Sequence, residues 1–105
     1  MTSKSQEKVQ QLQVLEQSRQ AITAQKQKVQ SDLFEIDNAL KELESVDSGF
    51  KIVGGIMIKA DADSLKKELG SKKESLDLRI KTLDMQELKL KEKAKKLQDE
   101  VMSKE

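Results

Sequence analysis

The chain has 105 residues, of which 35% are hydrophobic, 37% are charged and 2% are aromatic, and it contains no proline, cysteine or histidine. This composition is too poor in apolar residues for a large compact core and is typical of long helices with a narrow apolar stripe. A formal net charge of +1 gives no broad attraction to nucleic acid or to an anionic membrane, and the lack of cysteine excludes disulfides and thiolate metal sites.

The chain begins with the polar segment MTSKSQEKVQ, which lacks the apolar core of a secretory signal. No stretch approaches the roughly 18 apolar residues that a membrane span requires. We therefore expect a cytoplasmic protein that does not cross a membrane.

A first long helix is predicted from about Ser5 to Ser45. Apolar residues recur there at alternating steps of three and four, the heptad pattern that lines the seam of a coiled coil. Eight of the ten seam positions are aliphatic, which argues against a disordered chain. The seam positions are Leu12, Leu15, Arg19, Ile22, Lys26, Val29, Leu33, Ile36, Leu40 and Leu43.

A β-hairpin is predicted over residues 49–60, where the helical period stops and β-branched residues concentrate. Its turn is Gly54-Gly55, because a glycine pair accepts the positive φ angles of a two-residue hairpin turn. The alternation of side chains along each strand puts Val53, Ile56 and Ile58 on one face and Phe50, Ile52 and Met57 on the other.

Both faces of this hairpin are therefore apolar, whereas two helices leaving one end can cover only one face. A lone two-stranded hairpin is also marginally stable in water. We expect the hairpin to add its strands to those of other subunits, and we assign oligomerisation to the six apolar residues of its two faces. The alternative is a hairpin that simply folds against its own helices.

A second long helix is predicted over residues 63–102. Asp61, Asp63 and Ser64 stand before its first turn as candidate capping residues. Leucine recurs at every seventh position along its seam. The seam positions are Leu69, Lys73, Leu76, Ile80, Leu83, Glu87, Leu90, Ala94, Leu97 and Val101.

The two seams match in an antiparallel register in which the numbers of facing residues sum to about 109. The predicted fold is mainly α: a single domain over residues 1–105, built as a long antiparallel two-helix coiled coil with one β-hairpin between the helices. Glu87 falls between the layers of Arg19 and Lys26 and is expected to form an ion pair with one of them. Such a charged layer costs stability, and we expect it to help fix the register.

No catalytic, metal or cofactor site is expected, because histidine and cysteine are absent and a narrow two-helix surface offers no enclosed pocket. Gly54-Gly55 lacks the spacing of a phosphate-binding loop. Asp61 and Asp63 lack the glycine and distal glutamate of a calcium loop. The lysine-rich stretch 89–96 is interpreted as a solvated helix face rather than a nucleic-acid site, since aromatic stacking groups are missing.

Apolar residues off the seam gather toward the free ends of the two helices. Flexible methionine among them suits contact with varied sequences. These residues are Val9, Val14, Leu88 and Met102, with Met85 further in, while Phe34 and Leu78 lie nearer the hairpin. The free helix ends are therefore predicted to form an adhesive apolar surface.

The segment GFKIVGGIMIK, from Gly49 to Lys59, is set between two coiled-coil helices and resembles the beta class of the prefoldin family. That class shows an aromatic residue, a lysine, an aliphatic pair and a glycine here, followed by a short apolar strand that ends in lysine. Phe50, Lys51, Gly54 and Lys59 match those positions. The similarity extends over the whole chain. The alpha class carries two hairpins, and this chain has room for one.

The resemblance implies a chaperone subunit that is not an enzyme. It implies a hexamer of two alpha and four beta subunits, whose hairpins form an intersubunit β-barrel and whose helix ends capture unfolded proteins without ATP for delivery to a group II chaperonin. Chain length and the lack of cysteine favour an archaeal subunit. Client contact is assigned on this basis to Val9, Leu12, Val14, Leu97, Val101 and Met102.

Two alternatives remain at the level of the sequence. One is a structural coiled coil that assembles through its hairpin and binds no unfolded chain. The other is a specific adaptor whose helix ends bind one folded partner.

Overall fold

A computed structural model describes residues 3–103 of the chain. Within this range the order of elements is α1 (Ser3–Leu43), β1 (Ser48–Val53), β2 (Ile56–Asp61) and α2 (Ala62–Ser103). The predicted arrangement of two long helices with one hairpin between them is confirmed. Residues with high helix propensity and the lack of proline allow each helix to run without interruption.

The chain divides into two compact units. The hairpin module comprises residues 29–80, with the end of α1, both strands and the beginning of α2. The terminal helix pair comprises residues 3–28 of α1 and residues 81–103 of α2.

Strands β1 and β2 are antiparallel, with Val53 opposite Ile56 and Ile52 opposite Met57. Gly54 and Gly55 connect them with φ angles of 57° and 78°. Residues with a Cβ rarely adopt this left-handed backbone conformation, so the glycine pair permits the tight turn. The predicted turn and the predicted division of the apolar residues between two faces follow from this register and are confirmed.

The hairpin is anchored at its base by a small core in which Leu43, Ala62 and Leu65 are buried. Gly49 lies against this core. A Cβ added at Gly49 would stand 2.9 Å from Leu65 Cδ1 and 3.3 Å from Leu43 Cδ2, so a larger residue would require these leucine side chains or the strand to shift. The base of the hairpin is thus closely packed.

Helix α2 begins directly after β2, with Asp61 as its cap. The Ser64 backbone N–H donates a hydrogen bond to Asp61 Oδ2 at 3.0 Å, and the Ser64 hydroxyl donates to Oδ1 at 2.9 Å. These bonds from Ser64 hold the pKa of Asp61 below its usual value. The Ala62 N–H donates to the Asp47 carbonyl oxygen at 2.9 Å, which joins the α1–β1 connection to α2. The capping role predicted for Asp61 is confirmed.

The helical seams follow the predicted positions. Every predicted seam residue of α1 and α2 is buried or half-buried. In the hairpin module Val29, Ile36 and Leu43 are buried, and in the terminal helix pair Leu83 is buried. The heptad pattern therefore identified the packed stripe of both helices.

Candidate functional site

The hairpin surface consists of the six apolar residues predicted to mediate oligomerisation. All six are exposed, from 43% for Ile58 to 72% for Ile52. The others are Phe50, Val53, Ile56 and Met57. Since exposed residues occur on both faces, the helices of the same chain leave both faces of the hairpin largely open. The alternative in which the hairpin is covered by its own helices does not describe this structure.

An ion pair connects the hairpin to α2. Lys51 Nζ lies 3.0 Å from Glu68 Oε1. Lys51 shares a strand face with Val53 and with its cross-strand neighbour Ile58. The pair is partly exposed, so its contribution to stability is modest, about 0.2–1 kcal/mol. It links this face of the hairpin base to α2, a contact that the sequence did not predict.

A second apolar surface lies in the terminal helix pair. We name it the terminal groove. Its apolar lining is formed by Val14 and Leu15 of α1 and Leu97 of α2. Its polar lining is Glu7, Gln10 and Gln11 from α1 and Lys93, Lys96 and Glu100 from α2. Apolar side chains flanked by polar ones form a surface that can accept the side chains of another polypeptide. We refer to the apolar lining as the floor of the groove and to the polar lining contributed by each helix as a wall.

The structure brings together two of the six residues predicted to contact clients, Val14 and Leu97, in the terminal groove. Met102 is exposed but is not among the residues that line this groove. The other three, Val9, Leu12 and Val101, are half-buried.

The sequence analysis did not predict that Leu15 and the polar lining residues belong to one surface. The positions next to the seam contain the information from which this grouping could have been predicted. Gln11 and Lys93 stand one residue before the seam positions Leu12 and Ala94. A heptad projection of flanking as well as seam positions would have placed them at one side of the helix pair.

A charged layer interrupts the seam of the terminal helix pair. Lys26 Nζ lies 2.6 Å from Asp84 Oδ1 and 3.6 Å from Glu87 Oε1. The hydrogen bond to Asp84 is the main reason why the pKa of Lys26 is raised, against the opposing effect of desolvation. The predicted ion pair of Glu87 is confirmed with Lys26, while Arg19 pairs with Glu16 at 3.4 Å.

Further ion pairs join the helices within each unit. Lys8 lies 3.1 Å from Glu100 in the terminal helix pair, and Lys73 lies 2.7 Å from Asp37 in the hairpin module. Asp37 raises the pKa of Lys73 through a hydrogen bond. The residue numbers in these two pairs sum to 108 and 110, which agrees with the predicted antiparallel register.

Across residues 3–103, neither helix has a stretch long and apolar enough to cross a membrane. The same part of the chain has no group of three or more acidic side chains arranged to hold a metal ion.

Comparison with known proteins assigns the family. The model of the prefoldin subunit family matches residues 6–104. The chain belongs to this family. The prefoldin subunit beta of Thermococcus onnurineus is 40% identical over 96 residues, which cover 89% of this chain and 83% of the relative. That of Archaeoglobus fulgidus is 40% identical over 98 residues, covering 90% and 84%.

A solved structure agrees with the sequence relatives. The crystal structure of the prefoldin beta subunit from Thermococcus strain KS-1 matches with a TM-score of 0.88 and 38% sequence identity, covering 97% of this chain and 92% of that one. The resemblance to the beta class of prefoldin is thus confirmed. Prefoldin is a family of chaperone subunits and is not known as an enzyme family.

Proposed function

We propose that this chain, with residues 1–105 acting as one domain, is a cytoplasmic holding chaperone subunit that captures unfolded proteins without ATP and delivers them to a group II chaperonin. The observation that carries the proposal is the pair of exposed apolar surfaces, one on the hairpin and one in the terminal groove. Each exposed apolar surface requires a partner. Membership in a family of chaperone subunits supports other subunits as the partner of the hairpin and unfolded proteins as the partner of the terminal groove.

The hairpin surface is assigned to assembly with prefoldin alpha subunits in a hexamer of two alpha and four beta subunits. Exposed strand edges permit strand addition, and joined hairpins would form an intersubunit β-barrel. Full burial of an exposed large apolar side chain contributes about 1.5–3 kcal/mol. Burying several of the six hairpin residues in each subunit would therefore stabilise an oligomer strongly.

The terminal helix pair is assigned to client binding. An exposed apolar surface can hold an unfolded segment by excluding water from it, and this step requires no catalytic residue or nucleotide. The residues assigned to this contact are Val9, Leu12, Val14, Leu97, Val101 and Met102.

The test uses Val14→Asp/Met102→Asp, because these residues are exposed by 60% and 73% and can change without opening the seam. We expect at least half of the holding activity to be lost, as followed by light scattering of a denatured, aggregation-prone enzyme. The matched control is Phe34→Asp/Leu78→Asp. It makes the same change of charge at positions of the hairpin module that are exposed by 68% and 65%, and it should retain holding.

The same experiment separates the alternatives. An assembled wild-type chain that does not suppress aggregation would favour a structural coiled coil. Saturable binding of one folded protein, with no effect on unrelated denatured enzymes, would favour a specific adaptor. Equal loss of holding in the variant and its control would contradict the placement of client contact in the terminal helix pair.

A further inference from the structure

We propose that the terminal groove selects among unfolded segments, binding apolar segments flanked by acidic residues in preference to apolar segments flanked by basic residues. This inference rests on the function proposed above and specifies the chemistry of the client.

The apolar floor of the groove is narrow. Val14, Leu15 and Leu97 are the apolar residues among those that line it. A floor of this kind can cover only a few side chains of a bound segment. The residues that flank those side chains must therefore lie against the polar walls.

The two walls differ in charge. Lys93 and Lys96 line the groove from α2, whereas Glu7 is the acidic residue among those that line it from α1. Glu100 also lines the groove, but its carboxylate lies 3.1 Å from Lys8 Nζ, which offsets its charge. Two lysines thus stand against the single carboxylate of Glu7, and the wall formed by α2 is basic.

Unfolded proteins contain apolar segments whose charged flanks can interact with the lysines of the groove. Aggregation-prone apolar segments in natural sequences are commonly flanked by charged residues, which are acidic in some cases and basic in others. A segment with acidic flanks gains attraction to Lys93 and Lys96, whereas a segment with basic flanks is repelled. The floor provides apolar contact to both classes, so the basic wall sets the preference between them.

The test uses three labelled peptides of equal length with the full chain, and it measures binding by fluorescence anisotropy. The first has a Leu/Val centre with two Asp at each end, the second has the same centre with two Lys at each end, and the third has a Ser/Gly centre with the Asp ends. At low ionic strength we expect the first to bind about three- to tenfold more tightly than the second, because two solvent-exposed ion pairs contribute modestly. At high salt this ratio should approach one.

A matched pair of variants locates the effect. Lys93→Glu/Lys96→Glu should abolish or reverse the preference. Lys91→Glu/Lys95→Glu makes the same charge change on the same helix, at positions that do not line the groove, and at about 0.15 M salt, where the screening length is about 8 Å, it should retain more of the preference. Circular dichroism of both variants checks that the helices persist.

The inference would be overturned by equal binding of the two apolar peptides, by binding of neither, or by a preference that survives Lys93→Glu/Lys96→Glu. Equally tight binding of the Ser/Gly peptide would also overturn it, because it would indicate simple ion exchange. A mass that rises with concentration and falls in that variant would assign the groove to a second copy of the chain, which also contradicts the proposal. Retained suppression of aggregation in any of these cases would leave the proposed holding function intact, so the two failures are distinguishable.

Discussion

The hairpin module and the terminal helix pair use apolar residues in different ways. In the hairpin module, Leu43, Ala62 and Leu65 form a buried core, and the strands above it expose flat apolar faces. In the terminal helix pair, the seam residues other than Leu83 are half-buried. Charged seam residues occur in both units, Lys73 in the hairpin module and Lys26 in the terminal helix pair. A packed base holds the hairpin in a defined geometry that suits specific assembly, while a thin seam beside an open groove suits contact with varied sequences.

The largest expected effect concerns assembly through the hairpin. Ile52→Asp/Ile56→Asp places one carboxylate on each strand face, at positions already exposed to water in the single chain. We expect the oligomer to dissociate into helical monomers, because burial of an unpaired carboxylate at an interface is strongly unfavourable. Light scattering measures the mass and circular dichroism the helical content.

Phe34→Asp provides the control for this experiment, since Phe34 is similarly exposed but lies on α1. It should leave the mass unchanged. An oligomer that persists in the double variant would remove the hairpin surface from assembly. A wild-type chain that is monomeric alone would require co-expression with an alpha subunit before the same comparison is made.

A smaller effect compares packing in the two units. Leu65→Ala removes a side chain that is 7% exposed, and we expect a loss of about 2–4 kcal/mol in the free energy of unfolding. Leu90→Ala, in the half-buried seam of the terminal helix pair, should cost about half as much, because less apolar surface returns to water. Thermal and denaturant unfolding at one fixed protein concentration measure both losses. Equal losses would mean that the seam is as tightly packed as the hairpin base.

The smallest effect is a pH dependence at the cap of α2 in the hairpin module. The pKa of Asp61 is lowered from 3.8 in the folded chain, so its contribution to stability is present above pH 3.8 and is lost as the pH falls through the folded value. Asp61→Asn retains a capping side chain but does not titrate. The wild type should therefore lose thermal stability relative to Asp61→Asn as the pH is lowered through this range. Parallel melting curves down to about pH 2 would contradict a role for the ionised cap.

Local pattern was sufficient to predict much of this protein. The steps of three and four identified the seam, and matching of the two seams gave a register with which the pairs Lys8–Glu100 and Asp37–Lys73 agree. Gly54 could be predicted as a turn residue because its positive φ angle is one that glycine adopts readily, whatever its distant contacts. These features are readable because helix period, strand alternation and turn chemistry depend on neighbours within a few residues.

Other features depended on contacts between residues distant in the chain. The seam repeat continues back from Leu69 to Leu65 and Ala62, but only the packed structure shows Leu65 in contact distance of Gly49. Lys26 takes Asp84 as its nearer partner, although the seam pattern pointed to Glu87.

The exposure of both hairpin faces and the basic wall of the terminal groove also depend on contacts between residues distant in the chain. The sequence alone determined which residues are apolar or charged and on which side of a helix or strand they stand. The tertiary structure decided which of them are covered and which charges meet, because burial and ion pairing depend on how side chains from separate elements are brought together.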